Sequence, residues 1–196
     1  QVTIEVFPKD QTMEILLDCT INGFFARYYN LPKSHPDIEK PITGVIASTT
    51  PSDFDWFSSE YEVFERTDAI GVLNTQSGFF PVNTGLEGDP FYFAVHWTGY
   101  VHVPEAGAYA VILGSDDDSW VYINGEQKLA LGGIHGFQAT TTPVELSAGT
   151  STIDVYFAER HTVESGIAFA IYDGRVRYSA CEGASAPPPP PPENHP

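Results

Sequence analysis

The stretch that decides the fold is Leu113-Gly114-Ser115-Asp116-Asp117-Asp118-Ser119-Trp120-Val121-Tyr122-Ile123-Asn124-Gly125. An apolar run that starts at Gly107 leads into three consecutive aspartates, and a second apolar run leads out of them. The Asn-Gly pair that follows is a strong signal for a two-residue hairpin turn. We therefore predict two core β-strands joined by a tight acidic turn, with a hairpin after the second strand.

Short alternating apolar runs recur along the chain, and clusters of Gly, Pro, Asn and Asp separate them. This spacing is typical of an all-β sandwich. The predicted strands are Val2–Phe7, Met13–Asp18, Phe24–Tyr29, Phe91–Val95, Gly99–Val103, Ala108–Leu113, Trp120–Ile123, Val144–Leu146, Thr152–Phe157, Ile167–Tyr172 and Val176–Tyr178. The best helix candidate is Pro51–Glu65, which could supply one or two turns. The region Ile42–Asp89 is poor in strand signals and predicts long loops at one end of the sandwich, where binding surfaces are common.

The composition narrows the class of protein. Hydrophobic residues make up 42% of the chain, which is too apolar for a disordered protein. The net charge of −17 disfavours nucleic acid and anionic membrane surfaces as partners. No apolar run is long enough for a membrane helix, so no membrane insertion is expected. The segment Gln1–Phe7 does not resemble a signal peptide and is interpreted as a mature start, so export is inferred from other features.

The ends of the chain suggest a tethered module. Six consecutive prolines from Pro187 predict an extended spacer over residues 184–196, which leaves residues 1–183 as one domain. A proline-rich recognition segment is the alternative. The two cysteines, Cys19 and Cys181, have no zinc-like spacing, and we expect them to form a disulfide. Closing so long a loop would stabilise the fold by about 4–5 kcal/mol, whereas two separate buried thiols would not.

The acidic turn has two interpretations. Three adjacent carboxylates repel one another unless water solvates them or a cation neutralises them, and calcium prefers such oxygen ligands. Successive side chains of a strand point to opposite faces, so adjacent aspartates can hold one ion only if the backbone is distorted, for example by a cis peptide. A solvated acidic turn and a calcium site both remain open on this sequence alone.

Three stretches resemble the protective-antigen-type domain, which is named for the anthrax toxin component: Phe93–Tyr100, Val103–Tyr109 and Leu113–Gly125. Three others resemble its bacterial fibro-slime subgroup: His35–Glu39, Leu131–Gly136 and Val155–Thr162. The resemblance implies a two-sheet antiparallel β-sandwich, which serves as a lectin in yeast flocculins, epithelial adhesins and bacterial adhesins. In those lectins an Asp–Asp pair with a cis peptide holds one Ca2+, and sugar hydroxyls bind the same ion.

Carried over to this chain, the resemblance places the calcium pair on Asp116 and Asp117, with Asp118 behind it or in solvent. A second loop, His161-Thr162-Val163-Glu164-Ser165-Gly166, is expected to complete the site and to contact the sugar. It lacks the Asn or Asp that yeast members use there. Glu164 and main-chain oxygens are therefore the candidates for the third ligand.

Other residues that could bind a ligand have simpler structural roles as alternatives. Trp97 and Trp120 lie in predicted strands and are expected in the core, whereas Trp56 is as suited to sugar stacking as to burial. His135 is expected to shape a turn and His161 to shape the second loop. Glu159 and Arg160 are expected to form an ion pair beside the site.

The favoured function is a calcium-dependent carbohydrate-binding module of a secreted or cell-surface adhesin. Its partners would be cell-surface or polysaccharide glycans, bound by a monomeric module of a longer chain. No serine-hydrolase, zinc-protease or phosphate-loop motif appears, so an enzyme is not expected. Two alternatives remain, namely a structural or protein-binding module with a calcium-stiffened loop, and an accessory module of a polysaccharide-degrading enzyme.

Overall fold

The computed structural model describes residues 22–39 and 49–182, which fold into two antiparallel β-sheets. The predicted strands Val2–Phe7 and Met13–Asp18, Cys19 and the proline-rich tail lie outside these residues. The strands are β1 (Gly23–Asn30), β2 (Glu62–Ala69), β3 (Asn74–Thr75), β4 (Phe93–Val103), β5 (Gly107–Asp116), β6 (Asp118–Ile123), β7 (Glu126–Leu131), β8 (Gln138–Leu146), β9 (Gly149–Glu159), β10 (Gly166–Ile171) and β11 (Arg177–Ser179). One short helix, Pro36–Glu39, and two 3-10 turns, Pro51–Asp53 and Ile70–Leu73, complete the described elements.

The larger sheet has the strand order β2-β1-β4-β9-β6-β7, with β11 also paired to β4. The smaller sheet has the order β3-β10-β5-β8. Because β5 belongs to the small sheet and β6 to the large one, the acidic turn crosses from one sheet to the other. The predicted all-β, two-sheet antiparallel sandwich is confirmed.

The main core fills the space between the sheets. Inward-facing side chains of the long strands, such as Val95, Val111 and Phe157, are completely buried there. They occur at alternate positions because successive side chains of a strand point to opposite faces. Trp97 is part of this core, as predicted, and its indole Nε1–H donates a hydrogen bond to buried Asp68 over 2.8 Å.

A second apolar cluster covers the outer face of the large sheet. Trp120 is completely buried in it, as predicted, and so is Trp56, which is therefore a core residue and not a sugar platform. The cover comes from the chain around residues 50–61, where Phe54 stacks on Trp56 with ring centroids 3.8 Å apart. Burial on both faces explains why β6 lacks an apolar–polar alternation.

The structure refines one expectation for the middle of the chain and corrects another. The helix candidate Pro51–Glu65 supplies one turn, of the 3-10 type at Pro51–Asp53, and its end belongs to β2. The region Ile42–Asp89 is not only a set of loops at one end, because β2 forms the edge of the large sheet and residues 50–61 cover its outer face. Two further differences are that the predicted strands Phe91–Val95 and Gly99–Val103 form one strand, β4, and that β7 was not predicted.

The first and last described segments meet on one side of β4. β1 pairs with residues 93–98 of β4 and β11 with residues 100–102, so the two strands lie end to end. The backbone N–H of Tyr178 donates to the side-chain oxygen of Asn22 over 3.3 Å. No helix among the described residues has the length and apolar character needed to cross a membrane.

Candidate metal and ligand site

The three aspartates of the acidic turn are buried. Asp116 ends β5 and is 7% exposed, while Asp117 and Asp118 are 0% and 1% exposed. The peptide bond between Asp116 and Asp117 is cis, as the resemblance implies. Burial excludes a simple solvated turn, so each carboxylate needs a partner inside the protein or a bound cation.

Asp117 is held by backbone donors from two other loops. One carboxylate oxygen accepts from the N–H of His135 over 2.8 Å, and the other accepts from the N–H of Arg160 over 3.1 Å. The first donor follows β7 and the second follows β9. Asp117 therefore brings the predicted second loop next to the acidic turn.

Glu159 is the carboxylate that sequence reasoning assigned wrongly. It ends β9, is completely buried, and offers an oxygen that lies within 4.8 Å of ligand atoms from Asp116 and Asp117. Its Oε1 accepts from the N–H of His161 over 2.8 Å, while its Oε2 has no hydrogen-bond partner among the described residues. The signal was the alternation of β9, because Ile153, Val155 and Phe157 point inward and Glu159 is next in that series.

Arg160 forms its buried salt bridge with Asp118, and the expected pair with Glu159 is wrong. The guanidinium Nε donates to Asp118 over 2.7 Å, and both side chains are 1% exposed. The second oxygen of Asp118 accepts from the N–H of Gly133 over 2.5 Å, and the guanidinium carbon of Arg160 lies 4.9 Å from the centre of the Trp56 ring. Asp118 is therefore occupied by protein groups and not by solvent.

The predicted second loop divides into an exposed tip and an anchored base. His161, Thr162 and Val163 are exposed, and Val163 is 77% exposed. Glu164 accepts from the N–H of Gly78 over 2.7 Å, which anchors the loop to the segment after β3. Ser165 is buried, and its carbonyl accepts from the N–H of Phe79 over 3.0 Å.

A pocket of about 240 Å³ opens above the acidic turn. It is lined by Asp116, Asp117, Ile134, His135, Gly136, His161, Val163 and Glu164. The structure thus brings five of the seven predicted site residues together, and Thr162 and Ser165 do not line the pocket. Ile134 and His135 were not among the predicted site residues. His135 shapes its turn as expected, since its ring Nδ1 lies 3.1 Å from the carbonyl oxygen of Gly136.

The charges of the cluster favour a cation. Burial, followed by the negative charge of Asp117, raises the pKa of Asp116 to about 6. Burial also raises the pKa of Asp117, and burial together with Asp117 raises the pKa of Glu159 to about 11. Buried carboxylates with raised pKa values bind either protons or a metal ion. Three buried carboxylates, two of which line the pocket, fit a hard divalent cation such as calcium.

A second group of possible ligands, His35, Asp37 and Asp55, is already satisfied by protein contacts. Nε2 of His35 lies 2.8 Å from Asp55, and its Nδ1 lies 3.2 Å from the backbone nitrogen of Asp37. The indole of Trp56 donates to Asp37 over 2.9 Å. This group joins the short helix to the aromatic cover and has a structural role.

The chain is similar to several known proteins. The protein psiE of Dictyostelium discoideum is 30% identical over 186 residues, which cover 78% of this chain and 36% of psiE. The Epithelial Adhesin 9 A domain from Candida glabrata, solved in complex with Galβ1-3GlcNAc, superposes with a TM-score of 0.51 at 12% identity, covering 83% of this chain and 91% of that domain. The GH31 α-xylosidase of Xanthomonas citri superposes with a TM-score of 0.51 at 14% identity, covering 81% of this chain and 15% of the enzyme.

The chain spans about a third of psiE, and the two structures support the fold alone. The sequence profile of the PA14 domain matches residues 55–185, which include the acidic turn, Glu159 and the second loop. The protein therefore belongs to the PA14 domain family.

Proposed function

We propose that this protein is a calcium-dependent carbohydrate-binding module of an extracellular adhesin. The observation that carries the proposal is a cluster of three buried carboxylates: Asp116 and Asp117 line an open pocket, and Glu159 offers an oxygen within 4.8 Å of theirs. Calcium takes six to eight oxygen ligands. Three carboxylates and nearby main-chain oxygens leave coordination positions that face the pocket.

Vicinal hydroxyls of a sugar suit those open positions. They can replace water on the ion, and their protons can be donated to carboxylate oxygens. Exposed Val163 and partly buried Ile134 beside the carboxylates would contact the C–H surface of the ring. A single open site of this kind binds weakly, so adhesion would depend on several copies of the module.

Two comparisons support a role in carbohydrate recognition. The Candida domain with the same fold was solved with a disaccharide, and the fold also occurs within an α-xylosidase. The same proposal includes an extracellular location and membership of the fibro-slime subgroup. It also includes a disulfide between Cys19 and Cys181 and an extended spacer over residues 184–196. Glu159 takes the place of Glu164 as the proposed third carboxylate, because Glu164 is held by Gly78.

The proposal predicts that calcium stabilises the domain and that Asp116→Asn abolishes this effect. At a calcium concentration about 100-fold above Kd, linkage raises the free energy of unfolding by about 2.7 kcal/mol. For a domain of this size that corresponds to a rise in Tm of roughly 5–10 °C. Differential scanning fluorimetry with calcium and with EDTA measures the shift.

The control is Asp173→Asn, which removes a partly exposed carboxylate that is bonded to Arg175, away from the acidic turn. It should keep the full calcium response. A glycan array, read with calcium and with EDTA, tests the second half of the proposal. A calcium shift without any glycan signal would leave only a calcium-stiffened structural module, and no calcium shift at all would refute the metal site.

A further inference from the structure

A groove of about 470 Å³ runs over the outer face of the small sheet. Its lining is Ile70, Gly71, Asn74, Gln76, Ile112, Ala168, Phe169, Ala170 and Tyr172. None of these side chains is charged, although the whole chain carries a net charge of −17. The groove therefore suits a neutral ligand that has both apolar and hydrogen-bonding groups.

The groove and the calcium pocket lie on the same face of the small sheet. In β5 the side chains of Val111, Leu113 and Ser115 point inward and are completely buried. Ile112, Gly114 and Asp116 therefore point outward, because side chains alternate along a strand. Ile112 lines the groove and Asp116 lines the pocket, so one strand joins the two.

A partly exposed aromatic ring lies between the pocket and the groove. A side-chain carbon on Gly114 would be 2.9 Å from Cζ of Phe137, and one on Gly166 would be 3.0 Å from its Cδ2. The ring of Phe137 thus lies close over two adjacent strands at positions where only glycine leaves room. It provides an apolar surface one step along the sheet from Asp116.

Tyr172 marks the far end of the groove. Its side chain is 71% exposed, which is unusual for a large aromatic residue, and its backbone N–H donates to the carbonyl of Ala110 over 2.9 Å. Asp116 lies six positions after Ala110 along β5. At about 3.3 Å per residue, Tyr172 is on the order of 20 Å from the acidic turn. That span is longer than one sugar ring.

We infer that the outer face of the small sheet binds a neutral oligosaccharide chain, which continues from the sugar on calcium across Phe137 to Tyr172. The inference rests on the proposed function of the calcium pocket. Aromatic rings at both ends stack on the C–H faces of sugar rings, and the amides of Asn74 and Gln76 offer hydrogen bonds to hydroxyl groups. An extended peptide fits less well, because β10 pairs with β5 along its whole length and with β3 at Ile167 and Ala168, which leaves only a short edge for strand addition.

The test compares neutral homo-oligosaccharides of increasing length, from the monosaccharide to the hexasaccharide, in the cello, manno, malto and xylo series. Isothermal titration with calcium measures the ratio of the hexasaccharide affinity to the monosaccharide affinity. In the series that binds, we expect the ratio to be high in the native protein. Tyr172→Ala should lower it at least about fivefold while leaving monosaccharide affinity unchanged.

The matched control is Leu86→Ala, which removes an exposed apolar side chain that does not line the groove. It should leave the ratio unchanged. Monosaccharide binding without a higher affinity for longer chains would overturn the proposed oligosaccharide groove but not the calcium site. A gain in affinity that Tyr172→Ala does not reduce would also overturn the groove. If no glycan of any length binds with calcium, both proposals fail.

Discussion

Gly166 occupies a position of β10 where a side chain has no room. A side-chain carbon there would overlap the carbonyl oxygen of Gln76 and lie 2.6 Å from its carbonyl carbon. These are backbone atoms, which cannot rotate away as a flexible side chain can. The segment that contains Gln76 also holds the second loop, through the N–H groups of Gly78 and Phe79. One missing side chain thus allows the loop to sit against the acidic turn.

We expect Gly166→Ala to lower the free energy of unfolding by about 1–3 kcal/mol, because β10 and the segment after β3 must separate. Urea denaturation measures the change. Gly174→Ala is the matched control, since a side-chain carbon there meets no atom within 4 Å, and it should stay within about 0.5 kcal/mol of the native protein. An equal loss of unfolding free energy in the two variants would show that the close approach at Gly166 does not contribute to stability.

The residues of the candidate site were only partly predictable from the sequence. Asp116 and Asp117 stand out as adjacent acids between two apolar strands, and a family resemblance points to the same pair. Glu159 is marked only by the alternation of β9, and a Glu beside an Arg in the sequence suggests an ion pair instead. Its role depends on which partner Arg160 takes, and that partner is Asp118, 42 residues away in the chain. Contacts of this range are decided by the fold.

At the scale of elements, a buried ion pair joins two strands of the large sheet at the site. Asp118 starts β6, Arg160 follows β9, and their salt bridge is packed against the Trp56 ring. Removing one member of a buried pair leaves the other charge uncompensated, which typically costs 3–5 kcal/mol. The pair therefore holds the start of the second loop in place behind the carboxylate cluster.

We expect Arg160→Met to lower the free energy of unfolding by about 3–5 kcal/mol, and the double variant Asp118→Asn/Arg160→Met to regain part of that loss. Urea denaturation of the single and double variants gives the coupling energy. Arg27→Met is the control, because its pair with Glu65 is 3.8 Å long and both side chains are about half exposed, so it should change stability by less than about 1 kcal/mol. A coupling energy near zero would contradict the anchoring role.

Among the described residues, the strands that sequence patterns predicted are those that pack on the central core. Phe24–Tyr29, Ala108–Leu113 and Thr152–Phe157 all lie within observed strands of matching position. β2 and β7 were missed because they lie at the two edges of the large sheet, where charged residues such as Glu62 and Lys128 replace the apolar alternation. Whether a segment forms an edge strand depends more on the strand that it pairs with than on its own composition.

For the whole molecule, the carboxylate cluster couples stability to pH in an unusual direction. The pKa values of Asp116, Asp117 and Glu159 are all raised in the folded state. Above the ordinary carboxyl pKa of about 4, the native state therefore binds more protons than the unfolded chain, and the stability of the cation-free domain falls as pH rises. The fall starts near pH 4, includes the titration of Asp116 at about 6, and continues toward the pKa of Glu159 at about 11.

Calcium takes the place of those protons, so we expect it to reduce this loss. Urea denaturation at about pH 5 and about pH 8, each with calcium and with EDTA, tests the direction in which stability changes with pH. The stabilisation by calcium should be larger at the higher pH, and Asp116→Asn should abolish it at both pH values. An equal stabilisation by calcium at both pH values would contradict the coupling between calcium binding and the protonation of the carboxylate cluster.

The meeting of the first and last described segments also determines how the domain carries mechanical load. β1 and β11 lie end to end along β4, so force applied through the chain on either side enters and leaves at neighbouring points of one sheet. Glu159 pairs with Phe93 at one end of β4, while Ser179 pairs with Tyr100. Tyr100 lies seven positions after Phe93, which corresponds to about 23 Å along β4. Force that enters and leaves through β1 and β11 therefore bypasses the carboxylate cluster, which lies toward the other end of β4.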